Sequence, residues 1–277
     1  MTYQFLQPST LAEAAEILNT HEDVRILAGG TDLLILLKDR LLSCRYVMDI
    51  KKIPELNVFG KSEKGLEIGG AISLNRILGS GLADGSYSVL GSGASALANS
   101  LLRNRATLIG NICNASPGGD MLPPSLVLDG VLEAVSAEGT RQIPLRDFFI
   151  GVKKHVLKKN EIVTKITFAQ KQGKGVYFKK KRIKGHDLAQ VGMAAFWAPD
   201  GGVSVALGAV APVPVLITGL GPFDRDGLAR ARPGIESEVL GRINPISDTR
   251  SSREYRIAMV KYFIGEIISQ WTEGTYD

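Results

Sequence analysis

Arg25-Ile26-Leu27-Ala28-Gly29-Gly30-Thr31-Asp32-Leu33-Leu34 is the stretch around which the rest of the chain is read. An apolar run meets two glycines and a hydroxyl residue, and apolar residues resume at Leu33. That pattern predicts a strand over Arg25–Ala28 handing over, through a tight turn, to a helix over Asp32–Lys38. Gly29 and Gly30 permit positive φ and let backbone N–H groups approach a ligand with no Cβ between. Thr31 or Asp32 is placed to cap the helix. Unpaired amides and the helix dipole suit such a turn to an anion, a phosphate above all. The stretch is not a Walker loop, which needs GxxxxGK[ST], and it lacks the GxGxxG fingerprint. On turn chemistry alone a purely structural turn remains the other reading.

The residues on either side extend this start into a small parallel unit. Thr10 to Asn19 reads as a helix, with Thr10 and Glu13 at capping-box spacing and Leu11, Ala14, Ala15 and Leu18 on one stripe. Tyr46–Asp49 reads as a second strand, giving a β-turn-α-β order. From residue 58 the texture changes: Gly65–Ala71 has strand character, Ser73–Leu78 starts a helix, and Tyr87–Arg103 reads as a largely small-residue helix. The next notable stretch is Arg105-Ala106-Thr107-Leu108-Ile109-Gly110-Asn111-Ile112-Cys113-Asn114-Ala115-Ser116-Pro117-Gly118-Gly119-Asp120. It combines turn residues with Leu108, Ile109, Ile112 and Cys113, so it predicts irregular backbone that is buried or covered. Such backbone needs hydrogen-bond partners, which a polar cofactor supplies. Pro123 and Pro124 open a further helix, and Val131–Ala137 and Glu161–Phe168 follow as strands. Beyond residue 174, Val176–Arg182, Gly192–Ala198, Val203–Val210 and Pro214–Ile217 predict three or four antiparallel strands beside a closing helix over Arg253–Ser269.

Bulk properties narrow the function classes. The 277 residues suggest about two domains, and 44% hydrophobic with 22% charged residues is ordinary globular composition. No apolar run approaches the ~20 residues of a membrane span, and the N-terminus has no signal-peptide pattern, so a cytoplasmic protein is expected. Cys44 and Cys113, the two cysteines, make neither a disulfide framework nor a four-thiolate cluster. His21, His155 and His186 have no metal-ligand spacing, and no Gly-x-Ser-x-Gly elbow is present. Neither catalytic side chains nor metal ligands are therefore assigned, and any reactivity is expected to reside in a cofactor. The net charge of +5 is concentrated at Lys179, Lys180, Lys181, Arg182 and Lys184. A solvated hairpin, a site for an anionic cofactor or acidic protein, and a nucleic-acid surface all fit such a cluster. Aromatic content of 6% supplies few stacking platforms, and no nucleic-acid partner is expected.

Leu27 to Leu33, Arg105 to Asp120 and Pro123-Pro124, in this order, resemble the FAD-binding medium subunit of molybdenum hydroxylases, the family of xanthine, carbon monoxide and nicotinate dehydrogenases. Asp187-Leu188-Ala189, Ala206 to Ala211 and Ser252-Arg253-Glu254-Tyr255-Arg256 are similar to its C-terminal domain. The resemblance implies an α+β fold: a two-part FAD-binding domain of the vanillyl-alcohol-oxidase/PCMH type over 1–172, divided near 57/58, then a C-terminal antiparallel sheet with flanking helices over 173–277. It implies that Leu27, Ala28, Gly29, Gly30, Thr31 and Asp32 wrap the FAD pyrophosphate. Thr107, Ile109, Gly110 and Asn111 would form the second phosphate-side loop, and Asp120 would bond the ribityl region. Leu97 and Val163 would be apolar flavin contacts and Lys179 a basic group near the flavin.

The implied function is electron transfer. A separate large subunit would hydroxylate substrate at a molybdopterin centre, and a small 2Fe-2S subunit would pass electrons to FAD here, then to NAD+ or another acceptor. Two cysteines and no insertion separate the chain from relatives with an iron–sulfur loop in this subunit. One departure stands out: the family reads Thr-Ile-Gly-Gly-Asn where this chain has Thr107-Leu108-Ile109-Gly110-Asn111. A first glycine needing φ > 0 predicts a strained loop with isoleucine; one lying flat beneath the cofactor predicts none. The alternative function rests on that residue: a structural or assembly subunit of the same fold with weak or no FAD binding.

Overall fold

In the computed structural model residues 3–81 and 84–273 are described. The chain starts with β1 (Gln4–Leu6), α1 (Leu11–Thr20), β2 (Val24–Leu27), α2 (Leu33–Lys38) and β3 (Tyr46–Asp49). The strands form a parallel sheet in the order β1-β3-β2. Thr10 caps α1 by accepting from the Glu13 amide at 3.2 Å. Glu13 reaches back to the Ser9 amide at 2.8 Å, one residue outside the capping-box position. Ala14 and Leu18 of α1 are buried with Met48 and Ile50.

A second layer follows. β4 (Phe59–Ser62) and β5 (Gly65–Gly69) lead into α3 (Leu74–Leu78), α4 (Ser88–Ala96), α5 (Ser100–Arg103), α6 (Leu108–Cys113) and α7 (Leu122–Val127). The chain returns through β6 (Val131–Ser136), β7 (Gly139–Pro144), the small hairpin of β8 (Phe149–Gly151) and β9 (Lys154–His155), and β10 (Ile162–Phe168). The antiparallel sheet has the order β4-β5-β10-β6-β7. The single helix expected over Tyr87–Arg103 is two helices. Ala98 takes φ 50°, and Asn99 starts α5 by accepting from the Leu102 amide at 2.9 Å. Asparagine competes with the helix backbone and prefers the cap.

The last layer is an antiparallel meander, β11 (Lys174–Lys180), β12 (Val191–Trp197), β13 (Val203–Gly208) and β14 (Val215–Leu220), followed by α8 (Arg225–Arg242) and α9 (Arg253–Thr272). The observed mixture of helix and antiparallel sheet agrees with the expected α+β class. α8 was not foreseen, because Pro233, Gly227, Gly234 and Gly241 lie within it and read as breakers. Leu228, Ile235 and Val239 nonetheless bury one stripe against the sheet and α9. β12 is apolar on both faces, and both are covered. Met193 and Ala195 pack with α8 and α9, whereas Ala194 and Phe196 join the core of the preceding layer. Because alternate strand residues face opposite ways, Tyr177 sits on the second face between Val176 and Phe178 on the first. Among the described residues no helix is long and apolar enough to cross a membrane.

Candidate cofactor site

The two glycine-containing stretches singled out in the sequence touch. A Cβ on Gly29 would stand 2.2 Å from the Arg105 carbonyl oxygen and 3.0 Å from the Ala106 Cα, so only glycine lets these backbones meet. Gly30 takes φ +75°, the left-handed conformation that favours glycine. The Lys51 ammonium donates to the Ala28 carbonyl at 3.3 Å and to Asp49 Oδ1 at 2.6 Å. Burial raises the Asp49 carboxyl, but the Lys51 hydrogen bonds outweigh it and hold the group below the usual range. Asp32 occupies the N-cap of α2 but makes no side-chain cap bond. Its Oδ1 instead accepts from Asn114 Nδ2 at 3.1 Å, a second tie between the stretches. The capping role expected of Thr31 or Asp32 is therefore corrected: the longer-range partner wins the carboxylate.

The second stretch is more regular than expected. Thr107 accepts from the Gly110 amide at 2.9 Å and starts α6, so the first part of the stretch is a capped helical turn, while residues 114–120 keep the anticipated irregular backbone. Ile109 lies in that first turn, outside the left-handed region, with 5% exposure and its side chain in the core. Isoleucine is thus unstrained here. Asn111 Oδ1 accepts from the Met121 amide at 3.1 Å, tying α6 to Asp120's neighbour. Among the described residues no backbone carbonyl accepts from the amides of Gly29, Gly30, Thr31 or Ile109, whereas the Leu108 amide faces the Ile72 carbonyl in the bridge that pairs Ser73 with Thr107. Four donors on two touching loops, one of them opened by glycine, fit the pyrophosphate of a dinucleotide.

Beside these loops lies a buried polar cluster. Asp120 accepts from the Tyr177 hydroxyl at 2.9 Å and from the Lys179 ammonium at 2.8 Å. Lys179 also donates to the Ala96 carbonyl at 3.1 Å, placing it next to Leu97. The Asp120 and Lys179 side chains are each 5% exposed. Burial raises the Asp120 carboxyl against the opposing pull of Lys179, and burial with the adjoining Asp120 pushes the Tyr177 phenol well up. The pair presents no net charge to its surroundings. Leu97 ends α4, its carbonyl held by Arg103 Nη1 at 3.0 Å. Val163 is buried in β10, against which α6 packs.

The fold therefore brings Leu27–Asp32, Thr107–Asn111, Asp120, Leu97 and Lys179 into one neighbourhood, with Val163 on β10, the strand that α6 approaches. Sequence reading missed Arg105, Asn114 and Tyr177. Tyr177 was findable, since it precedes Lys179 by one strand period and shares its face. Two other members of the basic cluster have local partners: Lys181 donates to the Gly185 carbonyl at 3.0 Å and Arg182 pairs with Asp187 at 3.4 Å.

Comparison with known proteins is consistent along the chain. Residues 1–169 match the family described as FAD binding domain in molybdopterin dehydrogenase. The chain is 29% identical over 272 residues to the xanthine dehydrogenase FAD-binding subunit of Escherichia coli O157:H7, covering 95% of this chain and 93% of that protein. It is 30% identical over 268 residues to the glyceraldehyde dehydrogenase medium chain of Sulfolobus acidocaldarius, covering 94% of each. A structure of carbon monoxide dehydrogenase from Hydrogenophaga pseudoflava is similar over 96% of both chains, with a TM-score of 0.86 and 25% identity.

Proposed function

Because this chain belongs to the family of FAD-binding domains in molybdopterin dehydrogenase, we propose that it is the FAD-carrying electron-transfer subunit of a molybdenum hydroxylase. A large molybdopterin subunit and a small 2Fe-2S subunit are its partners in this reading, and NAD+ or another acceptor takes the electrons. Bound FAD supplies the ability to take electrons singly from an iron–sulfur centre and release them as a pair. The substrate would be chosen in the large subunit.

The observation that carries this reading is the contact of Gly29 with the Arg105 carbonyl, which sets the unpaired amides of the two loops side by side. In the proposed complex the amides of Gly29, Gly30, Thr31 and Ile109 hold the pyrophosphate. Leu97 and Val163 offer apolar surface to the ring system, and Asp120, fixed by Tyr177 and Lys179, offers its remaining lone pairs to the ribityl hydroxyls. Lys179 brings a cation already balanced by Asp120, so it orders the site without adding net charge. No side chain here needs to act as acid or base. The helical, non-positive φ of Ile109 favours this reading over the assembly-subunit alternative. A cytoplasmic location goes with this reading.

Absorbance tests it directly. The purified full chain is expected to show flavin bands, or to gain them on adding FAD. A chain that stays colourless after FAD addition overturns the proposal. In the assembled complex, NADH formation on substrate addition separates NAD+ from other acceptors.

A further inference from the structure

We propose that Arg256 is a positioning residue for the cofactor site, the hub of a C-terminal clamp that fixes segment 115–120 and, through it, Asp120. Its effect on flavin binding rests on the function proposed above; its effect on the segment does not. Three C-terminal stretches, Asp187 to Ala189, Ala206 to Ala211 and Ser252 to Arg256, lie far along the chain from the cofactor loops and contribute only their backs to them. The structure gathers all three behind one loop.

The Ala209 amide donates to the Pro117 carbonyl at 2.7 Å. A Cβ on Gly208 would lie 3.0 Å from that same carbonyl oxygen, and one on Gly118 would lie 3.4 Å from the Ala189 carbonyl. The loop is therefore seated closely on β13 and on the residue preceding Gln190. Arg256, 3% exposed, holds the seat in place. Its Nη1 donates to the Ala209 carbonyl at 2.9 Å and to the Gln190 carbonyl at 2.6 Å, and its Nη2 donates to Asp248 Oδ1 at 2.8 Å. Asp248 is fixed in turn by the amides of Arg250 and Ser251 at 2.9 and 3.0 Å.

Both carbonyls gripped by Arg256 lead to the Asp120–Lys179 pair. Ala209 holds the loop that carries Asp120. The Gln190 amide donates to the Lys180 carbonyl at 2.8 Å, pinning the strand end that carries Lys179. One planar guanidinium thus sets the two partners of a buried ion pair relative to each other, which a lysine with its single ammonium would not do. Ala209 itself takes φ +63°, a left-handed conformation that is unfavourable for a non-glycine residue. Such a conformation persists where its surroundings over-determine it, and here its amide and carbonyl are both held. The Arg256 Nε is buried without a partner, so the guanidinium is oriented by these carbonyls and Asp248 alone.

The test uses the full chain and three variants: Arg256→Met, Arg256→Lys and Gly208→Ala. Gly208→Ala presses on the Pro117 carbonyl from the strand without touching the guanidinium. Three quantities are read: the FAD dissociation constant, deuterium uptake of peptides spanning 115–121 and 11–20, and the melting temperature. Arg256→Met and Gly208→Ala are each expected to weaken FAD binding about tenfold, the weight of one hydrogen bond's positioning. Both are expected to speed exchange in 115–121 and leave 11–20 unchanged, and Arg256→Lys is not expected to restore either. Wild-type FAD binding and wild-type exchange in 115–121 overturn the clamp, whatever happens to the melting temperature, as does acceleration spread evenly over both peptides. If Arg256→Met does not fold, Gly208→Ala decides. If the wild-type chain takes up no FAD, the proposed function fails and the exchange comparison still decides the clamp.

Discussion

Adding one methyl group at Gly29 tests the geometry on which the functional reading depends. In Gly29→Ala the new Cβ would stand 2.2 Å from the Arg105 carbonyl oxygen and 2.8 Å from its carbon. An ordinary carbon–oxygen contact is about 3.3 Å, so the two loops must part by about 1 Å. Neither loop yields readily. Ala28 and Asp32 are held by Lys51 and Asn114, and the Ala106 carbonyl accepts from the Leu74 amide at 2.9 Å. Overpacking of this kind costs about 1–3 kcal/mol of stability. Parting the loops also removes one set of amides from the pyrophosphate. Losing even one hydrogen bond to an anion costs about 1.5–3 kcal/mol, or roughly 10- to 150-fold in dissociation constant. Titration of the flavin-stripped chain with FAD, followed by flavin fluorescence, measures the effect. Two companions set the scale. Gly30→Ala meets only the side-chain ends of Leu27 and Leu34 but must hold φ +75°, at a cost of about 1–2 kcal/mol. Gly60→Ala has nothing within 4 Å and is expected to match wild type. Equal FAD affinity in Gly29→Ala and Gly60→Ala would refute the reasoning.

Lys179→Met leaves the Asp120 carboxylate buried with Tyr177 alone, and breaking such a pair costs about 3–5 kcal/mol. Since the variant raises the folded-state pKa of Asp120 further above its unfolded value, the loss is largest at neutral pH and shrinks as pH falls toward the ordinary carboxylate range; urea midpoints at two pH values check this, and a pH-independent deficit would contradict it. Ile109→Gly removes a buried side chain from a helix and is expected to cost about 3–5 kcal/mol with no gain in FAD affinity; a tighter-binding variant would restore the strain argument. Burial pushes the Cys113 thiol up to about 12, so a thiol reagent at neutral pH is expected to spare it until the chain is unfolded by denaturant. Glu161 is held below the usual carboxylate range, first by the Arg141 guanidinium at 2.7 Å. Its stabilising contribution is therefore present at neutral pH and lost as pH falls through that lowered value, a loss that Glu161→Gln should abolish in acid-unfolding midpoints.

Local chemistry carried much of this fold in the sequence. The parallel start was legible because a capped helix, a glycine turn and an apolar strand each have their own period or punctuation. The C-terminal meander was legible because Val176–Arg182, Gly192–Ala198, Val203–Val210 and Pro214–Ile217 are strand-length runs separated by short connections, and Asp200-Gly201-Gly202 does connect β12 to β13. α8 was hidden by one proline and three glycines, whose local preferences are overridden by the burial of Leu228, Ile235 and Val239. In the site, the glycine turn and the Thr107 stretch were visible as motifs, yet their contact was not. Gly29 meets Arg105 across some seventy-five residues of chain, and no local pattern encodes that distance. Asp32 shows the same limit: its side chain has a good local use as a cap, and a partner at Asn114 takes it instead. Whether Ile109 strains its backbone stayed open in the sequence for the opposite reason: the answer lies in the helical turn that Thr107 builds, which takes the branch without positive φ.

The meander sheet, buried on both faces, bears on how such a chain can be divided. Its second face contributes Ala194, Phe196 and Ala206 to the core that also contains Leu90 and Leu126. A cut in the β10–β11 connection would lay that core open to water on one side and strip Tyr177 and Lys179 from Asp120. Shuffling the C-terminal part between relatives would therefore require matching both surfaces of one sheet at once. The inner surface is the back wall of the cofactor site, so inheritance of the last hundred residues is inheritance of half the site's support.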